Sequence, residues 1–251
     1  MSQAGIFAHT IRAEWLRIWS VRSSWTLAGV TALAVIGFGA MAAQTDPASV
    51  TPGSTAWDAG QSSGMFALFG ILALTVVTAT ADYSTGGIVP TLQWTPRRGV
   101  LFTARCIAIV AATISLGVVV TTAASLTAQV FLPLGLPATD GLKTLGGLAL
   151  IFGCGALMSV GWGFLLRSTA GALVLVIALV MVLPFLLAQL GYDWSTTLSE
   201  HLPGSSALFL IFGEGPSDTM TATSARTTLT LWASGAVLLG AWRFLQTDAN
   251  R

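Results

Sequence analysis

Six stretches of this sequence carry no charged side chain, and their lengths leave the chain few ways to fold. They are Ser23–Thr45, Ala59–Ala81, Cys106–Thr139, Thr144–Leu166, Ser168–Tyr192 and Thr227–Trp242. In hydrocarbon every backbone polar group must be satisfied inside the segment, and a helix of about 20 apolar residues crosses a bilayer core. Five of the stretches reach that length. The sixth is shorter, but Arg243 can snorkel to the interface, which lets Phe244 and Leu245 complete the span. The sequence thus predicts an all-α polytopic membrane protein with six transmembrane helices, at 24–44, 61–81, 104–130, 145–166, 169–190 and 226–245.

Composition points the same way. Of 251 residues only 8% are charged and the mean hydropathy is +0.78, where a soluble domain carries about 25% charged residues. No internal repeat or soluble appendage is evident, so residues 1–251 read as one transmembrane domain. The stretch from Met1 to Arg22 is interrupted by Arg12, Glu14, Arg17 and Arg22 and has no cleavage site, so it does not read as a signal peptide.

Arginine sets the expected orientation, because cytoplasmic loops retain basic residues. With the N-terminus inside, Arg12, Arg17, Arg22, Arg97, Arg98, Arg105, Arg167, Arg243 and Arg251 are cytoplasmic, and only Lys143 and Arg226 fall outside. The outer loops hold Asp46, Asp58, Asp140, Asp193, Glu200, Glu214 and Asp218. A cell-membrane protein with both termini in the cytoplasm follows. Arg97, Arg98 and Arg105 are then expected at the membrane surface, among lipid phosphates.

Two segments outside the spans are more apolar than loops require. In "AGIFAHTIRAEWLRIWSVRSSW", a turn of 100° per residue gathers Phe7, Ile11, Trp15, Ile18 and Trp19 on one side, with His9, Ala13, Arg17 and Ser20 opposite. Tryptophan with interleaved arginine suits a helix lying in the headgroup layer; an ordinary extension of the first span is the plainer reading. Between residues 191 and 225, "GSSALFLIFGEGP" is too short to cross. An interfacial or re-entrant helix closed by Gly213, Gly215 and Pro216 fits it, with Leu208, Phe209 and Phe212 buried or at the interface; a plain outer loop is the alternative.

Several kinds of chemistry lack their residues. No acid or base stands at the centre of a span, as a proton or ion pathway would need. His9 and His201 fall on opposite sides, so neither can serve a serine inside one membrane site. Cys106 and Cys154 show no metal-binding spacing and read as small core residues. The only lysine, Lys143, follows Leu142 rather than a glycine, so no phosphate-binding loop is present. No catalytic residue and no metal site is therefore expected in this chain, and the net charge of +1 offers nothing to nucleic acid. Threonine and serine inside the spans, and the glycines of the fourth, are expected to serve helix packing and interhelical hydrogen bonds.

One segment remains to be explained: "DYSTGGIVPTLQWTPRRG", Asp82 to Gly99. It is too polar to face lipid and too rich in glycine and proline for one straight helix. A bent cytoplasmic segment that docks on a soluble partner needs such residues; a solvated loop with ordinary arginines is the bland alternative. Together with the basic, tryptophan-bearing "RAEWLRIWSVRSSW" ahead of the first span, the layout resembles the permease subunits of ABC-2 type transporters, in a small actinobacterial-like form. In that family the boundary after the second span often reads (E/D)YxxGT(I/L), followed by a pair of arginines. Asp82, Tyr83, Gly86 and Ile88 match; Gly87 stands where threonine is commoner, and Val89–Pro90 replaces a polar-basic pair.

The resemblance implies a permease that pairs with a second copy or paralogue and sits on separate cytoplasmic ATPases, which would hold ATP and magnesium. It implies a coupling loop at 82–103, with Asp82, Tyr83, Ser84, Thr85, Gly86, Gly87 and Ile88 at the ATPase, aided by the helix bearing Ile11, Trp15, Ile18 and Trp19. The expected function is export of an amphiphilic or hydrophobic substrate. Two other readings stay open: a non-transporting scaffold or sensor paired with an ATPase, and a transporter independent of ATP.

Overall fold

The computed structural model describes residues 3–42, 53–84, 86–88, 97–132 and 134–246, and for residues 3, 4 and 84 it describes the backbone alone. Nine helices and no strands occur among them: α1 Gln3–Ser20, α2 Arg22–Ala42, α3 Ala56–Ser84, α4 Arg98–Phe131, α5 Ala138–Leu166, α6 Thr169–Gln189, α7 Asp193–Glu200, α8 Pro203–Phe212 and α9 Ala222–Gln246. Six of these, α2 to α6 and α9, are long and apolar enough to span a membrane. The chain is a multi-pass membrane protein.

Most of these helices outrun the spans expected from composition. The third span starts at Arg98 rather than near residue 104, and the second at Ala56 rather than 61. Counting apolar residues measures only the hydrocarbon layer, whereas a helix continues through the headgroups while its own carbonyls find donors.

α5 is the most buried span and the hub; α2, α6 and α9 are the most exposed. α3, α4 and α9 all pack on α5, and the tightest crossing is with α9, at Gly161. A Cβ there would coincide with the Ala236–Val237 backbone, so only glycine permits this approach. The main core joins Val35, Leu68, Ile71, Leu72, Val120, Ile151, Phe152, Val176 and Leu229 across all six spans. A second core, at the α1 end, joins Ile18, Ile88, Leu101, Phe102, Val160, Phe164 and Phe244. Cys106 and Cys154 are buried free thiols in different cores.

The hydroxyls behave differently from the packing expectation. Thr78, Thr113, Ser115, Thr121, Thr122, Ser125 and Thr127 all donate to the carbonyl four residues back in their own helix. Thr80 does so too, and among these hydroxyls it alone reaches another helix, at 2.7 Å from Thr169 Oγ1. A carbonyl one turn away is always within reach, so it outcompetes a neighbouring helix.

Past α5, Arg167 turns the chain in the left-handed region (φ 52°) and Ser168 caps α6 by accepting from Gly171 N–H at 3.2 Å. α6 widens to a π-helical stretch over Ala178–Val182 before Pro184, which has no N–H to return to the Val180 carbonyl. Gly204, in the first turn of α8, lies directly against that carbonyl. α8 is helical through Phe212 and closes on Gly213 (φ 76°), whose N–H donates to Phe209 O at 2.8 Å. Pro203 to Ala207 are buried, Leu208 and Phe209 half-buried, and Phe212 is 48% exposed.

Candidate functional site

Helix direction puts Arg12, Arg17, Arg22, Arg97, Arg98, Arg105, Arg167 and Arg243 at the α1 end of the bundle, with Lys143 and Arg226 at the far end. The acids divide the other way. Among the described residues only Glu14 and Asp82 lie at the α1 end, and both are engaged in one cluster.

That cluster is built by three helices. α1 lays its apolar stripe over the second core, burying Ile18 and half-burying Ile11, Trp15 and Trp19. At 100° per residue Glu14 falls just beyond Phe7, at the edge of the stripe, and there it is carried into the protein. Arg105, two turns into α4, meets it there. Nε donates to Glu14 Oε2 and Nη2 to Oε1, both at 3.0 Å, and Nη2 also reaches Asp82 Oδ2 at 2.7 Å. Arg17, one turn beyond Glu14, closes the ring: Nη1 to Asp82 Oδ1 at 2.6 Å and Nε to Glu14 Oε2 at 3.1 Å.

Two carboxylates and two guanidiniums make the cluster neutral, which is what permits its burial. The Arg105 side chain is 0% exposed, Glu14 7% and Asp82 13%, while Arg17 at 29% faces outward. The Arg105 guanidinium carbon also lies 5.8 Å from the Phe164 ring centre, where the π face favours a cation. Phe164 in turn meets Phe102 and Phe244 at 5.0 Å and Tyr83 at 6.1 Å. Burial pulls the Arg17 guanidinium below the usual arginine range and Arg105 acts the same way, against the upward pull of Glu14 and Asp82.

These positions revise several expectations. Arg105 does not point out toward lipid phosphates: its side chain is 0% exposed inside the protein, and two carboxylates compensate its charge. Asp82 faces Arg17 and Arg105 of its own chain, and Ile88 is buried in the second core. The amphipathic helix turns its stripe to protein. Tyr83 packs in the last turn of α3, beside Arg167, whose guanidinium carbon is 5.7 Å from its ring centre. Ser84 ends that helix. Gly86 is exposed in the left-handed region (φ 72°), Gly87 and Arg98 are half-buried and Arg97 is exposed. Thr85 and residues 89–96 lie outside the described residues.

Glu14 was not among the candidates read from the sequence. Its signal was faint: an acid at the edge of an apolar stripe is costly to bury unless paired. Among the described residues, no group of three metal-ligating side chains comes together.

A second feature lies toward the far end. A cavity of about 440 Å³ opens between α3, α6 and α8, with Met65, Phe69, Met181, Phe185 and Leu208 in its wall. Its lining is apolar apart from Ser199, Ser205 and Glu214.

No family model and no curated protein matches this chain.

Proposed function

We propose that this chain is the permease subunit of an ABC-2 type transporter, exporting an amphiphilic or hydrophobic substrate with energy from a separate cytoplasmic ATPase. One observation carries the reading: the Glu14–Arg17–Asp82–Arg105 cluster fastens the amphipathic α1 to the adjoining ends of α3 and α4. A soluble partner pressing on α1 or on the turn at Gly86 would move two spans together, because a buried ion cluster resists being pulled apart. The arginine asymmetry supports a cytoplasmic location for that end, and the apolar cavity between α3 and α6 supports a hydrophobic cargo.

In this reading two copies, or this chain and a paralogue, pair over two ATPases, and ATP binding rocks the spans between inward and outward states. Arg17, Gly86 and Arg97 are among the exposed or half-exposed groups of the junction, and the partner would touch these rather than Asp82, held by Arg17 and Arg105, or the buried Ile88.

Affinity capture of the tagged chain from its native host's membranes tests the proposal. The bound proteins should include one bearing a GxxxxGK[ST] loop, and the captured complex should hydrolyse ATP. Capture of intact, folded chain with neither would reject the permease reading in favour of an ATP-independent one.

A further inference from the structure

The two bases that break the charge pattern meet in one place. Lys143 of α5 and Arg226 of α9 line a notch of about 190 Å³ at the far end of the bundle. Gln61 of α3 forms a third wall and is fixed there, donating to the Ile211 carbonyl at 2.6 Å. Leu150 and Leu210 supply apolar surface beside these polar groups.

Depth identifies what the notch can meet. α5 has 29 residues, so it is ~44 Å long, close to the ~40–45 Å of a bilayer with its headgroups. Lys143 and Gln61 stand five residues into their helices and Arg226 four, which places all three within ~8 Å of their helix starts. That is the headgroup layer. The positive dipole ends of α3, α5 and α9 also face this side.

The bases are available. Among the described residues no carboxylate lies within ion-pair distance of Arg226. Lys143 has only the exposed Asp140 at 3.6 Å, with side chains 80% and 46% exposed, a contact worth little in water. Gly147 opens on the notch, and a Cβ there would meet nothing within 4 Å.

We propose that this notch binds the phosphate of an anionic lipid headgroup, held between Lys143 and Arg226 with the acyl chains running down beside Leu150 and Leu210. The site does not depend on the transport reading, since it rests on residues at the opposite end from the charge cluster.

The test is native mass spectrometry of the full chain released from nanodiscs of phosphatidylcholine with phosphatidylglycerol. The wild type should retain phosphatidylglycerol in preference to phosphatidylcholine. Lys143→Gln and Arg226→Gln should each lower that preference ~5-fold, the ratio given by about 1 kcal/mol of attraction per basic residue. Gly147→Phe should lower it with both charges intact, by filling the space, and Asp140→Asn should raise it. Orthophosphate is the second probe. Failure to displace the lipid assigns the headgroup as ligand, whereas displacement by millimolar orthophosphate assigns a free-anion site and overturns the lipid. Equal retention of the two lipids, or equal retention by wild type and a variant carrying both Lys143→Gln and Arg226→Gln, overturns the site altogether.

Discussion

Arg105 of α4 grips Glu14 of α1 through two parallel contacts, Nε to Oε2 and Nη2 to Oε1, each 3.0 Å long. The residues are 91 positions apart in the chain, so this pair closes the longest link of the cluster and determines where α1 can lie. Paired geometry of this kind is specific to arginine, whose planar fork matches a carboxylate.

Position matters more than charge among the arginines. Arg105→Ala should destabilise the detergent-solubilised protein by about 3–5 kcal/mol, because it leaves two almost wholly buried carboxylates with Arg17 as their one remaining base in the cluster. Arg97→Ala, on an exposed side chain, should stay within about 0.5 kcal/mol of wild type. Melting curves in one detergent check the contrast, and equal losses would count against the burial of Arg105.

The crossing of α5 and α9 predicts an opposite pair of glycine effects. Gly161→Leu should cost ~3 kcal/mol or prevent folding, since the side chain has to displace the α9 backbone. Gly147→Ala points into open space and should stabilise α5 by about 0.5–1 kcal/mol, through the lower entropy of the unfolded chain. The same melting assay reads both.

Gly86 is a backbone requirement rather than a packing one. Its φ of 72° and the empty space around it mean that Gly86→Val should cost about 1–2 kcal/mol from conformation alone. Gly86→Asn should cost less, because asparagine tolerates the left-handed region. ATPase recovery on affinity capture should fall in the same order, valine below asparagine below glycine.

Within α8 the two phenylalanines should separate. Phe209→Asp puts a carboxylate on a half-buried face and should lower the melting temperature more than Phe212→Asp, whose side chain is 48% exposed. Equal losses would argue that both rings face the same surroundings.

The spans were legible because twenty uncharged residues admit almost one fold in a bilayer, and the stripe of α1 because its period is 3.6. The cluster was only half legible. Asp82 stood out as an acid after an apolar run, but charge-free counting treats a charge as the edge of a span, and so it placed Arg105 at the surface. Glu14 was hidden by the residues around it, since one acid barely alters a helix dominated by Trp15, Ile18 and Trp19. Pairing across 91 residues leaves no local mark. The hydroxyls misled for another reason: composition reveals a donor, but not that Thr121 would find Gly117 O at 2.7 Å before any neighbouring helix.

The most direct test of the buried fastening is a double-mutant cycle on Glu14→Gln and Arg105→Gln, read by thermal unfolding of the full chain in detergent. Each single variant leaves the buried cluster with an unbalanced charge, whereas the double variant restores neutrality, so both singles should be strongly destabilised. The double variant should be less unstable than the sum, with a coupling of about 2–3 kcal/mol, at the upper end for residues in direct contact. Additive losses within about 0.5 kcal/mol would mean that the two side chains act independently, and α1 would then not be fastened to α4 as described.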